Sequence, residues 1–292
     1  MKRYLLLLVI LIILGGGSPL PGREAPQVLL LSPSLDYFST FLEVHLRRLL
    51  SPPQVHLIPL FSLEDLSLDF SPENVSLIVF LGEERYFSSI LLQIPQDKEP
   101  LLLFWEGVAP PLGFPFCKIR VEGEVVIEAL RRELVEKLFP DNHFTIWGVG
   151  KITPVLEQKL KEEFSSFSKV EENDKEAIEQ LISNRENSLI IAGNAKVGKQ
   201  LIDGFAEIEP PPSLVVLEAS PQMLFALLQG KIKAVVDFKP SQLAQEIVNL
   251  MDYFYEGMHF PELITIYPHL IFAHNIKEAD GYEVISRCLM CQ

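Results

Sequence analysis

The chain has 292 residues, 48% of them hydrophobic and 22% charged, with a formal net charge of −14. This length and composition suit one large domain or two medium domains and argue against a single small one. The negative charge and the lack of any basic stripe argue against nucleic-acid binding, because neutralising phosphates requires clustered Lys and Arg.

The first 22 residues carry the pattern of an export signal. Lys2 and Arg3 precede an uninterrupted apolar run at residues 4–14, and a stretch rich in glycine and proline follows. A basic start, a short apolar run and small residues after it are typical of secretory signals. The run is short for a membrane-spanning helix, and an uncleaved membrane anchor is the alternative. Both interpretations predict a periplasmic or otherwise extracytoplasmic protein.

Residues 27–138 predict a first series of alternating strands and helices. The strands are near-continuous apolar runs, and the helices carry apolar residues at helical spacing. Strands are predicted at 27–31, 54–59, 75–81, 100–105 and 118–121, and helices at 34–50, 86–94 and 122–138. This alternation indicates a parallel sheet covered on both faces.

Residues 144–255 predict a second series of the same kind. Strands are predicted at 144–149, 169–170, 188–192, 214–217 and 232–238, and helices at 154–164, 175–183, 196–205, 223–229 and 241–255. Gly257 then follows as a C-cap. The repetition predicts two α/β lobes with a boundary near 118–124, a return near 237–240 and another within 263–274. Several crossing strands would allow a hinged closure of the lobes.

The stretch 223–257 carries a family resemblance. It reads as helix, then the pattern G-x-I-x-A-x-V from Gly230, a short turn with Pro240, an amphipathic helix and Gly257. This order is similar to the closing segment of type I periplasmic binding proteins, the ribose- and galactose-binding group. The resemblance implies an α/β fold of two doubly wound parallel-sheet lobes joined by a multi-strand hinge.

The resemblance also implies an organisation and a function. The export signal would occupy 1–22, the first lobe 24–120 with 240–262, the second lobe 121–239 with 263–276, and a tail 277–292. The protein would be a monomer that captures a small, sugar-like ligand between its lobes and delivers it to the membrane permease of an ABC importer. A ligand-sensing or partner-binding envelope protein on the same fold is the alternative, and an envelope enzyme is a more distant one.

Candidate ligand contacts follow from the same resemblance, because its members bind ligand at the carboxyl ends of strands. Asp36 could equally be a helix N-cap, Trp105 a core residue and Glu218 a solvated side chain. Because Trp105 and Glu106 stand where the family holds Asp-Arg, a flatter or less hydroxylated ligand is predicted. The candidates are Asp36, Tyr37, Phe38, Trp105, Glu106, Asn194, Glu218, Asp237 and Phe238.

Residues 193–199 match the phosphate-binding pattern G-x-x-x-x-G-K between a predicted strand and helix. The next residue is Gln200, whereas that motif uses a Ser or Thr hydroxyl to hold Mg²⁺. A structural strand-to-helix turn is therefore the favoured interpretation. The leading functional alternative is that Asn194 contacts a ligand in the cleft.

Neither metal, cofactor nor catalytic chemistry is predicted. The histidines are scattered, and G-x-S-x-G does not occur. Cys117 stands alone, whereas Cys288 and Cys291 form a C-x-x-C near the C-terminus. A tail disulfide or free thiols are predicted there, since no helix N-terminus follows a strand at this point.

Overall fold

The computed structural model describes residues 27–32, 37–50, 55–59, 75–81, 99–105, 113–141, 143–171, 174–183 and 187–290. Strands and helices alternate along these residues and form two six-stranded sheets. The predicted α/β class with two parallel-sheet lobes is confirmed. The predicted helix at 86–94 lies outside the described residues.

The first sheet is parallel throughout, with the order β2-β1-β3-β4-β5-β11. Its strands, numbered along the chain, are β1 (Gln27–Ser32), β2 (Val55–Pro59), β3 (Val75–Phe80), β4 (Leu101–Trp105), β5 (Phe116–Val121) and β11 (Leu263–Ile266). Successive residues of β1, such as Leu29 and Leu30, are both buried. Both faces of this sheet are therefore covered, as its continuous apolar strands predicted.

The second sheet has the order β7-β6-β8-β9-β10-β12. Its strands are β6 (Thr145–Val149), β7 (Phe167–Val170), β8 (Ser188–Ala192), β9 (Ser213–Val216), β10 (Ala234–Asp237) and β12 (His269–Ile271). β12 runs antiparallel to β10 and pairs Asp237 with His269, whereas the other pairs are parallel.

The helices cover the faces of the two sheets. They are α1 (Tyr37–Leu49), α2 (Gly123–Leu130), α3 (Pro154–Glu163), α4 (Lys175–Ser183), α5 (Ala195–Gly204), α6 (Pro221–Leu228), α7 (Pro240–Tyr255) and α8 (Tyr282–Met290). A π-helical turn at Arg131–Val135 extends α2 to a last turn at Glu136–Leu138, and a 3-10 helix at Ala273–Glu278 precedes α8. No helix among the described residues is long and apolar enough to cross a membrane.

The chain passes between the two sheets three times. It leaves the first sheet after β5 and enters α2, which packs on the second sheet through Val126 and Leu130. It returns after β10 into α7, which packs on the first sheet through Leu243 and Ile247. It crosses last between β11 and β12. We call each sheet with the helices packed on it a lobe.

Two of the predicted segment assignments are wrong. Residues 263–266 were predicted in the second lobe, but they form β11 and pair with β5 at the edge of the first sheet. Residues 277–292 were predicted as a tail, but Ala279 and Ile285 lie in the core of the second lobe. An apolar run shows that a strand or helix is buried but not which of two similar lobes buries it.

Candidate functional site

All three crossings leave their sheet at the carboxyl end of a strand, namely β5, β10 and β11. The carboxyl ends of both sheets therefore lie at the junction of the lobes. In open parallel sheets, ligands bind outside the carboxyl ends of the strands. The candidate site is this junction.

Among the described residues, the first lobe brings Tyr37 to the junction. Its ring packs on Phe41, one helical turn later, with 4.3 Å between ring centroids. Its hydroxyl oxygen is fully buried and has no hydrogen-bond partner. A Cβ atom built on Gly281 of the second lobe would lie 2.6 Å from that oxygen. Tyr37 therefore spans the junction and touches the opposite lobe.

Three acidic residues of the second lobe act on the Tyr37 hydroxyl through their charges. Burial is the main reason that the pKa of Tyr37 is raised, and the charges of Asp237, Asp280 and Glu218 raise it further. The phenol is therefore neutral at physiological pH and retains its proton for donation. A buried donor without a partner costs about 1–3 kcal/mol, so a ligand oxygen that reached this hydroxyl once Gly281 moved away from it would recover that free energy.

Asn194 and Glu218 act together at the start of α5. The Asn194 side-chain oxygen accepts a hydrogen bond of 3.0 Å from the amide of Val197. The Glu218 carboxylate, at the end of β9, accepts one of 2.8 Å from the amide of Ala195. The helix N-terminus, where an anion could otherwise bind, already faces a carboxylate of the same chain.

The glycines of the 193–199 pattern have packing roles. A Cβ atom on Gly193 would lie 2.3 Å from the backbone oxygen of Lys151, and one on Gly198 would lie 2.8 Å from a methyl group of Val216. Both glycines are explained by close approach of neighbouring groups. These packing roles, together with the Glu218 carboxylate at the N-terminus of α5, support a structural role for the pattern over phosphate binding.

Asp237 fixes the crossing from β10 to α7. It is 1% exposed, and its two oxygens accept hydrogen bonds from the amides of Lys239, at 3.0 Å, and Asp280, at 2.8 Å. The ammonium of Lys239 lies 3.4 Å from the same carboxylate. Burial and the nearby charge of Asp280 raise the pKa of Asp237, while Lys239 and the two amides lower it in part.

The structure brings some of the predicted residues together and separates others. Tyr37, Asn194, Glu218 and Asp237 lie at or beside the junction, as the preceding contacts describe. Phe38 instead packs against the core of the first lobe, and Phe238 against the core of the second. Asp36, Glu106 and the side chain of Trp105 lie outside the described part of the chain.

Lys239, Asp280 and Gly281 were not predicted from the sequence. Asp280 contacts residues about 40 positions earlier, and no local pattern predicts such a partner. One signal was available, since Asp280 and Gly281 directly precede an amphipathic run with Tyr282 and Ile285. Such a pattern predicts a helix start and would have placed α8 where the tail was expected.

Within the described residues, no three side chains suited to metal binding cluster together. The Cys288 side chain and Cys291 lie outside the described part of the chain, so the predicted tail disulfide or free thiols stay a prediction. Cys117 is buried and free.

No protein-family model matches the chain, and no curated protein sequence does. Solved structures do. The myo-inositol-binding protein of Caulobacter, solved with myo-inositol, is 13% identical with a TM-score of 0.65, over 92% of this chain and all of that protein. An ABC-transporter solute-binding protein of Burkholderia graminis, solved with D-arabinose, is 13% identical with a TM-score of 0.65. That alignment covers 88% of this chain and 99% of the other.

A third solved structure agrees with these two. The periplasmic solute-binding protein of Actinobacillus succinogenes, with bound D-allose, is 14% identical with a TM-score of 0.60, over 86% of this chain and 99% of that protein. All three alignments span nearly the whole of the known protein. Together with the sheet order and the three crossings, they confirm the predicted resemblance at the level of the fold: this chain has the two-lobed fold of type I periplasmic binding proteins.

Proposed function

We propose that the protein binds a small, neutral, hydroxyl-bearing ligand between its two lobes. The observation that carries the proposal is the buried, unpaired hydroxyl of Tyr37, held at the lobe junction against the opposite lobe, where the charges of three carboxylates raise its pKa. The three neighbours described above were solved with D-allose, D-arabinose and myo-inositol, which are ligands of this chemical class.

The chemistry of the junction favours such a ligand. Carboxylates such as Glu218 accept hydrogen bonds from ligand hydroxyls, and the ring of Tyr37 offers an apolar face for the carbon side of a sugar. The N-terminus of α5 is already faced by Glu218, so an anionic ligand would meet a like charge there. Asp36, Trp105 and Glu106 stay predicted contacts from the first lobe, and Asp237 positions the crossing.

Ligand binding would stabilise the closed arrangement of the lobes. Contacts from both lobes exist together only when the lobes are closed, so the ligand shifts the population toward that state. The closed form would then be recognised by the permease of an ABC importer in the membrane. In this proposal the protein is an exported monomer that binds and releases its ligand unchanged and has no enzymatic activity.

The experiment is thermal unfolding of the purified protein against a library of sugars, cyclitols, nucleosides, amino acids and organic anions. A ligand at about one hundred times its Kd adds about 2.7 kcal/mol to the free energy of unfolding, which raises the Tm by about 5–10 °C. We expect hits among sugars or cyclitols and none among organic anions. A hit confined to anions would contradict the proposal.

Two variants place the ligand at the junction. Tyr37→Ala and Asn194→Ala should abolish the ligand-induced rise in Tm, whereas Asp252→Asn, at an exposed position of α7, should leave it unchanged. Each variant is compared with its own ligand-free Tm, because Asn194→Ala also removes a helix cap worth about 1 kcal/mol. A folded protein that no compound stabilises would instead favour the partner-binding alternative.

A further inference from the structure

The segment Glu278 to Gly281, here called the latch segment, lies between the 3-10 helix and α8 and contacts both lobes. It belongs to the second lobe by packing. Ile276 before it, Ala279 within it and Ile285 after it are all buried in the core that also contains Met223 and Leu224 of α6. Its attachment on this side is therefore part of a hydrophobic core.

The latch segment also caps a helix of the first lobe. Lys239, at the N-cap position of α7, has a left-handed backbone with φ of 51° and makes no side-chain cap hydrogen bond. Asp280 supplies the missing acceptor, since its Oδ2 accepts a hydrogen bond of 2.8 Å from the amide of Ser241. A carboxylate at this position also interacts favourably with the helix dipole.

A compact ionic cluster surrounds that cap. The Lys239 ammonium donates a hydrogen bond to the backbone oxygen of Glu278 and lies 3.4 Å from Asp237 and 3.8 Å from Asp280. The side chains of Lys239 and Asp280 are only 12% and 10% exposed. Since the amide of Asp280 also donates to Asp237, the crossing from β10 to α7 and the latch segment are joined by several polar contacts.

The last contact reaches the first lobe directly. Gly281 lies against the Tyr37 hydroxyl so closely that any side chain at position 281 would meet it at 2.6 Å. The same built Cβ atom would lie 3.2 Å from the backbone oxygen of Ala219 in the second lobe. Gly281 therefore lies beside both the Tyr37 hydroxyl and the connection that follows β9, at the candidate ligand site.

We propose that the latch segment regulates the opening of the ligand site by holding the two lobes in their closed arrangement. It is fixed to the second lobe by its core residues and to the first by the Asp280 cap on α7 and by Gly281 against Tyr37. Opening the site separates Tyr37 from Gly281 and strains the hydrogen bond between Asp280 and the Ser241 amide. This inference rests on the proposed function only in naming the site as one for a ligand.

The test measures lobe opening in the full chain without any ligand, so it does not depend on finding one. The variants are Asp280→Ala and Asp280→Asn, and the matched control is Asp252→Ala, an exposed aspartate near the other end of α7. Small-angle scattering reports the radius of gyration, which is about 19 Å for a compact chain of this length. Hydrogen exchange reports the amide of Ser241.

We expect Asp280→Ala to increase the radius of gyration and to accelerate exchange of the Ser241 amide about tenfold or more. Asp280→Asn should give a smaller change in the same direction, and Asp252→Ala none. Gly281→Ala, which leaves every hydrogen bond of the cluster in place, should also enlarge the radius of gyration and serves if Asp280→Ala does not fold.

Faster exchange at Ser241 with an unchanged radius of gyration would overturn the proposal, because Asp280 would then be only a local helix cap. An unchanged radius in Gly281→Ala would also count against it. These results are distinguishable from failure of the proposed function, which would be a closed, latched protein that no sugar or cyclitol stabilises.

Discussion

The two lobes have equivalent sheets but present different chemistry where they meet. Both sheets place their first strand second from one edge and add their last strand at the other, and only the second has an antiparallel edge. Among the residues that the structure describes at the junction, the first lobe contributes Tyr37, whose hydroxyl has no hydrogen-bond partner. The second contributes Glu218 and Asp237, whose carboxylates already accept backbone hydrogen bonds.

This difference indicates that the two lobes contribute to ligand binding in different ways. The second lobe is preorganised, because its charged groups are held by its own amides before any ligand arrives. The first lobe keeps an unsatisfied donor, so it gains most when a ligand or the opposite lobe supplies an acceptor. Substitutions in the second lobe should therefore cost stability, whereas substitutions at Tyr37 should mainly change the contact between lobes.

The largest effect should come from Asp237→Ala. The substitution removes the acceptor of two backbone amides and a partner of Lys239 in a site that is 1% exposed. Removing one member of a buried charged cluster costs about 3 kcal/mol. Urea denaturation should show that loss in the free energy of unfolding, with Asp174→Ala, at the exposed start of α4, as the smaller control. Equal losses in the two variants would show that Asp237 has no special role.

Gly193→Ala should have the next largest effect. The new methyl group would lie 2.3 Å from the Lys151 backbone oxygen, and the backbone there would have to shift, at about 1–3 kcal/mol. Gly204→Ala, at the other end of α5, has open space around it and should be neutral or slightly stabilising. Urea denaturation of both variants measures the difference. A Gly193→Ala protein of wild-type stability would reopen a ligand-binding role for this glycine.

A double-mutant cycle tests the contact between Tyr37 and Gly281. Gly281→Ala should cost about 1–2 kcal/mol, because its methyl group would overlap the Tyr37 hydroxyl. Tyr37→Phe should be neutral or stabilising by up to about 1 kcal/mol, because it removes an unpaired buried oxygen. In the double variant the cost of Gly281→Ala should largely disappear. Additive effects, measured by the free energy of unfolding, would mean that the two residues are not in contact.

The sequence predicted the bounds of the strands better than it predicted which sheet each strand joins. Continuous apolar runs such as 75–81 and 188–192 gave β3 and β8 almost to the residue, because burial on both faces leaves that pattern. β11 was placed in the wrong lobe, since both sheets have an edge that could accept it. The order of the crossings came from the family resemblance and not from any local pattern.

The candidate site was predictable only in part, for a related reason. Tyr37, Asn194 and Glu218 lie within five residues after the ends of β1, β8 and β9, so a rule about strand ends finds them. Phe38 and Phe238 satisfy the same rule, yet their side chains turn into the lobe cores. Asp280 follows no strand and acts through partners such as Ser241, which only the folded chain brings near.

The smallest expected effect is the contribution of Asp237 to the pH dependence of the free energy of unfolding. Burial, followed by the charge of Asp280, raises its pKa in the folded protein, against the opposing influence of Lys239 and two amides. An unfolded Asp has a pKa of about 3.9, so at pH values between that figure and the raised value the folded state binds more protons. The free energy of unfolding therefore falls as the pH rises through this window, by at most about 1.4 kcal/mol per pH unit.

Asp237→Asn removes the titration of this one group. The informative quantity is therefore the free energy of unfolding of the wild type minus that of the variant. From urea denaturation at successive pH values, we expect that difference to decrease above about pH 4 and to become constant once the folded-state pKa is passed. The carboxylates with lowered pKa values, such as Glu133 and Glu157, have the opposite dependence but cancel in the subtraction. A difference that increases with pH would mean that the Lys239 ammonium and the amides outweigh burial. The ionised Asp237 would then stabilise the crossing from β10 to α7.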